Sequence, residues 1–305
     1  FFMIQLARKS TWALIAGMLV VLTGCGQTPD KISSPSLPVV RYTLNTSSAV
    51  GTLPLEVALK LHFFQDEHIQ LKRSSRSRAE LTISESLPSW PVIGYLADRP
   101  DLVIVSSAPD PHFRLKNLNH LPVVYAANLY PSLGLIQGVL HLNRTFPSLR
   151  PVSFPHLESL WIEHRVPWAL VSLRQYFALR QKDPNTLILN WLGASTGPMP
   201  VITVSGHSNH SVQFLKAINL ALWYIHTSSP RQIAQVVAGN SKNPVLPSTI
   251  KTAVRLNLWP QTTLISPQEY NRGRALYGLG SRNIWPPYFD GVNIQLSRKA
   301  LSVEY

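Results

Sequence analysis

Val39-Val40-Arg41-Tyr42-Thr43-Leu44 leads into Asn45-Thr46-Ser47-Ser48-Ala49-Val50-Gly51-Thr52, and then into Leu53-Pro54-Leu55-Glu56-Val57-Ala58-Leu59-Lys60-Leu61-His62-Phe63-Phe64. The first six residues are mostly β-branched or aromatic and predict a strand. The polar stretch after them predicts a loop. Pro54 stands in the first turn of a helix, where its missing N–H costs nothing. Leu55, Ala58, Leu59, His62 and Phe63 then fall on one helical face. Ile69 to Lys72 predicts a second strand. Strand, helix and strand in succession open a parallel α/β arrangement.

Downstream, Leu87 to Ala97 predicts a helix. Asp101 to Ser106 (DLVIVS) and Leu121 to Ala127 (LPVVYAA) are almost wholly apolar, the pattern of buried parallel strands. A second half begins near residue 141. Leu160 to His164 predicts a strand, and Pro167 to Gln181 a helix. Pro200 to Ser205 predicts another strand. Ser211 to Thr227 is strongly amphipathic, with Leu215, Ile218, Leu222 and Ile225 on one face. Ser229-Pro230-Arg231-Gln232 and Ser266-Pro267-Gln268-Glu269 carry helix-capping signatures.

Open sheets of this kind bind ligands beyond the carboxyl ends of their strands. The loops expected there contain Ser47 and Ser48, Ser106 and Ser107, and Asn128-Leu129-Tyr130. Arg165, just before an expected helix N-terminus, would make an anion site, or place Trp168 as an apolar wall; the other reading is a surface arginine and a core tryptophan.

The first 25 residues read as an address. Arg8 and Lys9 precede an apolar run, Thr11 to Leu22, which ends in Leu22-Thr23-Gly24-Cys25. A basic start, a short apolar core and small residues at its end make an export signal. The run is shorter than the ~20 residues of a membrane-spanning helix. Its last four residues resemble the bacterial lipobox, which implies acylation of Cys25 as the mature N-terminus. Residues 26–38 are polar and rich in Ser and Pro, and read as a tether.

The 305 residues hold 28 Lys and Arg against 15 Asp and Glu, a formal charge of +13. Without residues 1–24, which contain Arg8, Lys9 and no acid, the balance is 26 − 15 = +11. This sign suits an anionic ligand, lipid or wall polymer. The cations are scattered except at Lys72 to Arg78 (KRSSRSR), which reads as a solvated loop face. No nucleic-acid-binding signature accompanies them. Cys25 is the one cysteine, so no intrachain disulfide or cysteine-based zinc site forms. His207 and His210 have no recognisable third metal ligand beside them, and no metal or cofactor is expected. The sequence has no GxSxG, P-loop, HExxH or GxGxxG motif.

Several segments resemble the SsuA-like substrate-binding proteins of the nitrate, sulfonate, taurine and thiamine-pyrimidine type. They are Leu53 to Leu71 (LPLEVALKLHFFQDEHIQL), with His62 and His68 where the family carries glycines; Arg99 to Val105; Val212 to Ala238; and Leu258-Trp259 with Ile265 to Tyr270. The resemblance spans about residues 39–295. It implies the two-lobed type-2 periplasmic binding protein fold, α/β in class, with residues 1–24 a leader and 25–38 a tether. Residues 39–140 would form a first lobe with returning C-terminal segments, and 141–305 a second lobe with C-terminal helices. The family's further helix and strand between Asn185 and Pro200 are reduced here to TLILNWLGASTGPM, so the second lobe is expected to be shortened.

The resemblance further implies capture of a small anionic or heteroaromatic solute, hinge closure, and delivery to an ABC permease and its ATPase by a monomeric, extracytoplasmic, membrane-anchored protein. Carried over by position, the ligand contacts are Ser47, Ser48, Leu53, Trp90, Ser106, Ser107, Tyr130 and Trp168, with Ser195 and Thr196 weaker. A degenerate surface lipoprotein acting as a sensor is the alternative. An enzyme of the thiamine-pyrimidine-forming type is disfavoured because that relative is intracellular.

Overall fold

The computed structural model describes residues 36–85, 91–238, 247–280 and 285–302. Leu37–Tyr305 form one compact unit around a continuous apolar core. Trp90 and Cys25 lie outside the described residues.

In chain order the strands are β1 (Val39–Asn45), β2 (Gln70–Arg73), β3 (Leu81–Ser84), β4 (Val92–Ala97), β5 (Leu102–Ser106), β6 (Pro122–Ala126), β7 (Ser148–Val152), β8 (Trp168–Ser172), β9 (Leu187–Trp191) and β10 (Ile202–Gly206). The helices are α1 (Leu53–Lys60), α2 (Phe63–Asp66), α3 (Leu133–Leu142), α4 (Phe154–Ile162), α5 (Leu173–Lys182) and α6 (Ser211–Thr227). They continue with α7 (Pro230–Ala238), α8 (Pro247–Arg255), α9 (Pro267–Gly280), α10 (Tyr288–Gly291) and α11 (Ile294–Leu301).

Two five-stranded sheets result, ordered β2-β1-β3-β10-β4 and β7-β6-β8-β5-β9. The two orders follow one plan. Three parallel strands stand in the sequence second, first, third. An antiparallel strand then arrives from the other half of the chain, and a fourth strand pairs with it. β5 enters the second sheet directly after β4 of the first, and β10 returns to the first directly after β9 of the second. The sheets therefore divide near residue 100 and again between residues 191 and 202, not at residue 140 as the sequence reading expects. The short stretch 186–199 still contains β9, so its brevity costs the second sheet no strand.

Three local expectations need correction. Val92–Ala97 is a fully buried strand, not a helix, because a short apolar run has no periodicity to separate the two. β5 is antiparallel to both its neighbours rather than parallel. Residues 160–164 close α4, and the following helix begins at Leu173 after strand β8. A reciprocal capping box marks its start: the Gln175 N–H donates to Ser172 Oγ at 3.3 Å, and the Ser172 N–H donates to Gln175 Oε1 at 2.9 Å. His62 and His68 take left-handed backbone, φ 61° and 58°. They hold the turns that glycine serves in the resembling family, at a steric cost of ~1–2 kcal/mol each.

The two crossovers run side by side and are hydrogen-bonded to each other. Met199 N–H donates to the Asp98 carbonyl at 2.8 Å, and Val201 N–H to that of Ala97 at 2.9 Å. Trp191 Nε1–H donates to the Pro100 carbonyl at 2.7 Å, with the Arg99 guanidinium 5.7 Å from its ring centroid. Asp98 and Asp101 flank this junction, and both are buried. Burial pushes each carboxyl up to about 7. For Asp98 the next influence is Arg99, which opposes the rise; for Asp101 it is Glu85, which adds to it.

A second tie joins the lobes. The Ile136 and Leu140 side chains of α3 pack over the second sheet against Ile104 and Leu170. α9 is held to the first lobe, where the Tyr277 hydroxyl donates to the Glu85 carbonyl at 2.7 Å and the Tyr95 hydroxyl reaches Glu269. α3 and α9 meet through glycines: a Cβ added at Gly138 would overlap the Leu276 carbonyl, and one at Gly280 the Gly134 carbonyl.

Two outcomes follow from this junction. Gly138→Ala should destabilise by about 1–3 kcal/mol through forced backbone separation. Gly278→Ala, on the partner helix α9 with open space around it, should be neutral or slightly stabilising; thermal melts of both variants check the contrast. The raised carboxyls set a pH dependence. Asp101 holds its proton up to about pH 7 in the folded chain and loses it near pH 4 when unfolded. Stability therefore falls as pH rises through that window and levels off above it. Asp101→Asn should match the wild type near pH 4 and exceed it at pH 8, on the order of 2–4 kcal/mol. Parallel stability curves against pH would refute the assignment.

Candidate functional site

A cleft of about 310 Å³ is lined by Ser47, Ala49, Asn128, Phe154, Ser172, Arg174, Gln175 and Ala178. Each of the first five stands at or just beyond the carboxyl end of a strand: β1, β1, β6, β7 and β8 respectively. Arg174, Gln175 and Ala178 lie on the first turns of α5. The first lobe supplies one wall and the second the other, as the topology of open α/β sheets favours.

The first-lobe wall is built by Glu85, a buried acid directly after β3. Its carboxylate accepts from Thr46 Oγ1 at 2.7 Å and from the Ser47 N–H at 3.2 Å. It also accepts from the Ser132 hydroxyl of the second lobe. Thr46 Oγ1 in turn accepts from the Ser48 N–H at 3.1 Å. Ser48 Oγ accepts from the Gly51 N–H at 2.8 Å and hydrogen-bonds the Asp101 carboxyl. Ser48 is thus committed to the loop. The Ser47 hydroxyl differs: it is buried and has no hydrogen-bond partner.

The second-lobe wall centres on the start of α5. The Leu173 and Gln175 N–H groups there are taken by the Asp101 carbonyl and Ser172 Oγ, so what favours an anion is the helix dipole and the full charge of Arg174. Gln175 Nε2 donates to Asn128 Oδ1 at 2.8 Å, which leaves the Asn128 amide nitrogen as a donor. Phe154, Ala49 and Ala178 supply apolar surface. The arrangement can hold a small solute with an acidic head and an apolar body. Among the described residues, no group of three or more His, Cys, Asp or Glu could hold a metal ion.

The expected contacts separate by position. Ser47 lines the cleft, and Ser48 braces it from behind. Asn128, on a loop singled out in the sequence, is a lining residue, while Tyr130 on the same segment is 71% exposed and is not. Leu53 is fully buried in the core. Ser106 pairs with Trp168 at one end of the second sheet, and Leu102 with Ser172 at the other. Because β5 runs antiparallel, Ser106, Ser107 and Trp168 sit at the end remote from the cleft. Arg165 is exposed on the surface and pairs with Glu163 at 3.4 Å. Thr196 is buried, its hydroxyl turned to local carbonyls. Arg174, Gln175 and Phe154 were missed; the Ser172-x-x-Gln175 capping signature was the available signal for the first two.

No protein-family model matches the sequence, and no curated protein matches it. Solved structures do. The alkanesulfonate-binding protein SsuA from Xanthomonas axonopodis pv. citri, bound to MOPS, aligns with TM-score 0.59 at 12% identity, over 85% of this chain and 99% of that one. The ligand-binding component of an ABC-type import system from Staphylococcus aureus, with zinc bound, gives 0.58 at 12% identity, over 86% and 99%. A Candida albicans protein with the generic periplasmic binding protein fold gives 0.56 at 10% identity, over 85% and 97%. With two sheets of like strand order, exchanged strands and a cleft at their shared end, the chain has the two-lobed periplasmic binding protein fold.

Proposed function

We propose that this chain is an extracytoplasmic solute-binding lipoprotein that captures a small organic anion, of the alkanesulfonate kind, for an ABC permease and its ATPase. The observation that carries the reading is the second-lobe wall: Arg174, on the first turn of α5, lines the same cleft as Ser47 and Asn128. An oxyanion there would meet a cation, a helix N-terminus and neutral donors, while Phe154 covers an apolar tail. The likeness to a sulfonate-binding protein and to an import component supports the same choice. The lining residues orient and hold rather than activate a nucleophile, so we read the protein as a monomeric binder and not an enzyme.

The apolar run before Cys25 and the Leu22-Thr23-Gly24-Cys25 ending support acylation at that thiol. Stable anchoring takes more than one acyl chain, at ~0.8 kcal/mol per buried CH₂.

Thermal-shift screening against alkanesulfonates, taurine, nitrate and pyrimidine precursors tests the site. A true ligand at 100 times its Kd adds about 2.7 kcal/mol of stability. Arg174→Ala should weaken capture of an anionic ligand about 10- to 100-fold, the worth of one charge-assisted hydrogen bond. A flat screen, or undiminished affinity in the variant, would remove the anion reading. Labelled palmitate should enter the chain in a bacterial host and disappear with Cys25→Ser; label retained in that variant would remove the anchor.

A further inference from the structure

We infer that the edge of the first sheet formed by β1, β2 and the following turn Arg76–Arg78 is a docking face for an anionic lipid surface. Five cations gather there: Arg41, Lys72, Arg73, Arg76 and Arg78, all exposed. Strand register gathers them at one sheet edge, with Arg41 and Lys72 on one surface of the edge strand pair and Arg73 on the other. Arg41 pairs with Lys72, and Tyr42 with Arg73. The turn is fastened back onto β1, where the Ser74 N–H donates to the Tyr42 carbonyl and the Glu80 N–H to that of Arg41, both at 2.8 Å.

The charge is left uncompensated. Ion pairs among the described residues are Arg165 with Glu163 and Lys182 with Glu158, and none of the five cations takes part. Glu80, the acid beside them, accepts from the Arg41 N–H at 3.3 Å and from Ser208 Oγ at 2.7 Å. Glu56 acts on Tyr42 from α1. With Asp66 and Glu67 at the end of α2, which packs against β2, four acids at most stand against five bases.

A lipid surface fits this face better than a threaded polyanion. Single-stranded nucleic acid needs exposed aromatic platforms beside the cations, and the exposed aromatics Tyr130, Phe146, Trp223 and Phe289 belong to other elements. The position in the chain points the same way. Thirteen residues, 26–38, separate Cys25 from β1, so a thiol held in the bilayer keeps the start of that strand within roughly 50 Å of it. The leaflet's potential acts only within about a Debye length, ~10 Å, so contact with this face captures it. Ser47 and the cleft lie six residues on from Arg41, beyond the carboxyl end of β1, so adsorption leaves the cleft open. The orientation rests on the anchor reading; the charge of the face does not.

The test uses the compact unit Leu37–Tyr305, without Cys25, in co-sedimentation with phosphatidylglycerol vesicles and with neutral phosphatidylcholine vesicles. Binding to the anionic vesicles alone, weakened by salt, is expected. The variant Arg73→Gln/Arg76→Gln/Arg78→Gln should lose about two orders of magnitude in partition, at roughly fivefold per cation. A control of equal charge change, Arg150→Gln/Lys251→Gln/Arg255→Gln, should lose far less. Melts and solute titrations check that both variants stay folded and keep the cleft. Equal losses in the two variants would reduce the effect to net charge and overturn the proposal. So would no anionic-vesicle binding, or tighter binding to polyphosphate or single-stranded DNA than to vesicles. Failure here leaves the solute reading intact, and a failed solute screen leaves this face intact.

Discussion

The paired crossovers are the constraint on which the rest of the molecule depends. Between β4 and β5, and again between β9 and β10, the chain changes sheets, and backbone hydrogen bonds tie the two passages together. This exchange gives each sheet one strand running against the others. It also brings the carboxyl ends of the parallel strands of both sheets to one shared border. Every lining residue of the cleft is at that border or on the helix that starts there. The buried acids beside the crossings are the electrostatic cost of threading polar backbone through the interior. With their protons retained to about pH 7, they avoid placing two bare charges in a buried junction.

Much of the first lobe was legible from residues 39–72, where composition changes sharply from strand to loop to helix. The helix at Ser211–Thr227 and the capped starts near Ser229 and Ser266 were equally plain; the structure shows Gln232 N–H donating to Ser229 Oγ and Glu269 N–H to Ser266 Oγ. What failed was the type of short apolar runs and the direction of buried strands. Val92–Ala97 and Leu102–Ser106 have no polar face to fix a period. The direction of β5 is set by β8 and β9, partners roughly 60 to 90 residues away, which no local window contains. One such error moved Ser106, Ser107 and Trp168 to the wrong end of a sheet. The cleft was therefore half visible: Ser47 and Asn128 from their loops, but not Arg174, whose place depends on where α5 begins.

The same physics explains why Ser47 lines the cleft while Ser48 braces the loop. Ser47 and Ser48 are adjacent and chemically identical, yet one hydroxyl is consumed by Gly51 and Asp101 while the other is left without a partner. Glu85 makes the difference by drawing in the Ser47 N–H and Thr46 and so turning the loop. A buried carboxylate that accepts from both lobes is expensive to desolvate and pays for itself as a position-setting device.

The glycine contact between α3 and α9 bears on how the two walls of the cleft can move. Main chain resting on main chain has no rotamers to yield, so gaping along that edge requires whole helices to part. On the proposed function, this contact resists separation of the two walls before a guest arrives. A host organised in advance forfeits less disorder on capture, and so draws more net affinity from a handful of polar contacts than a slack jaw of the same composition.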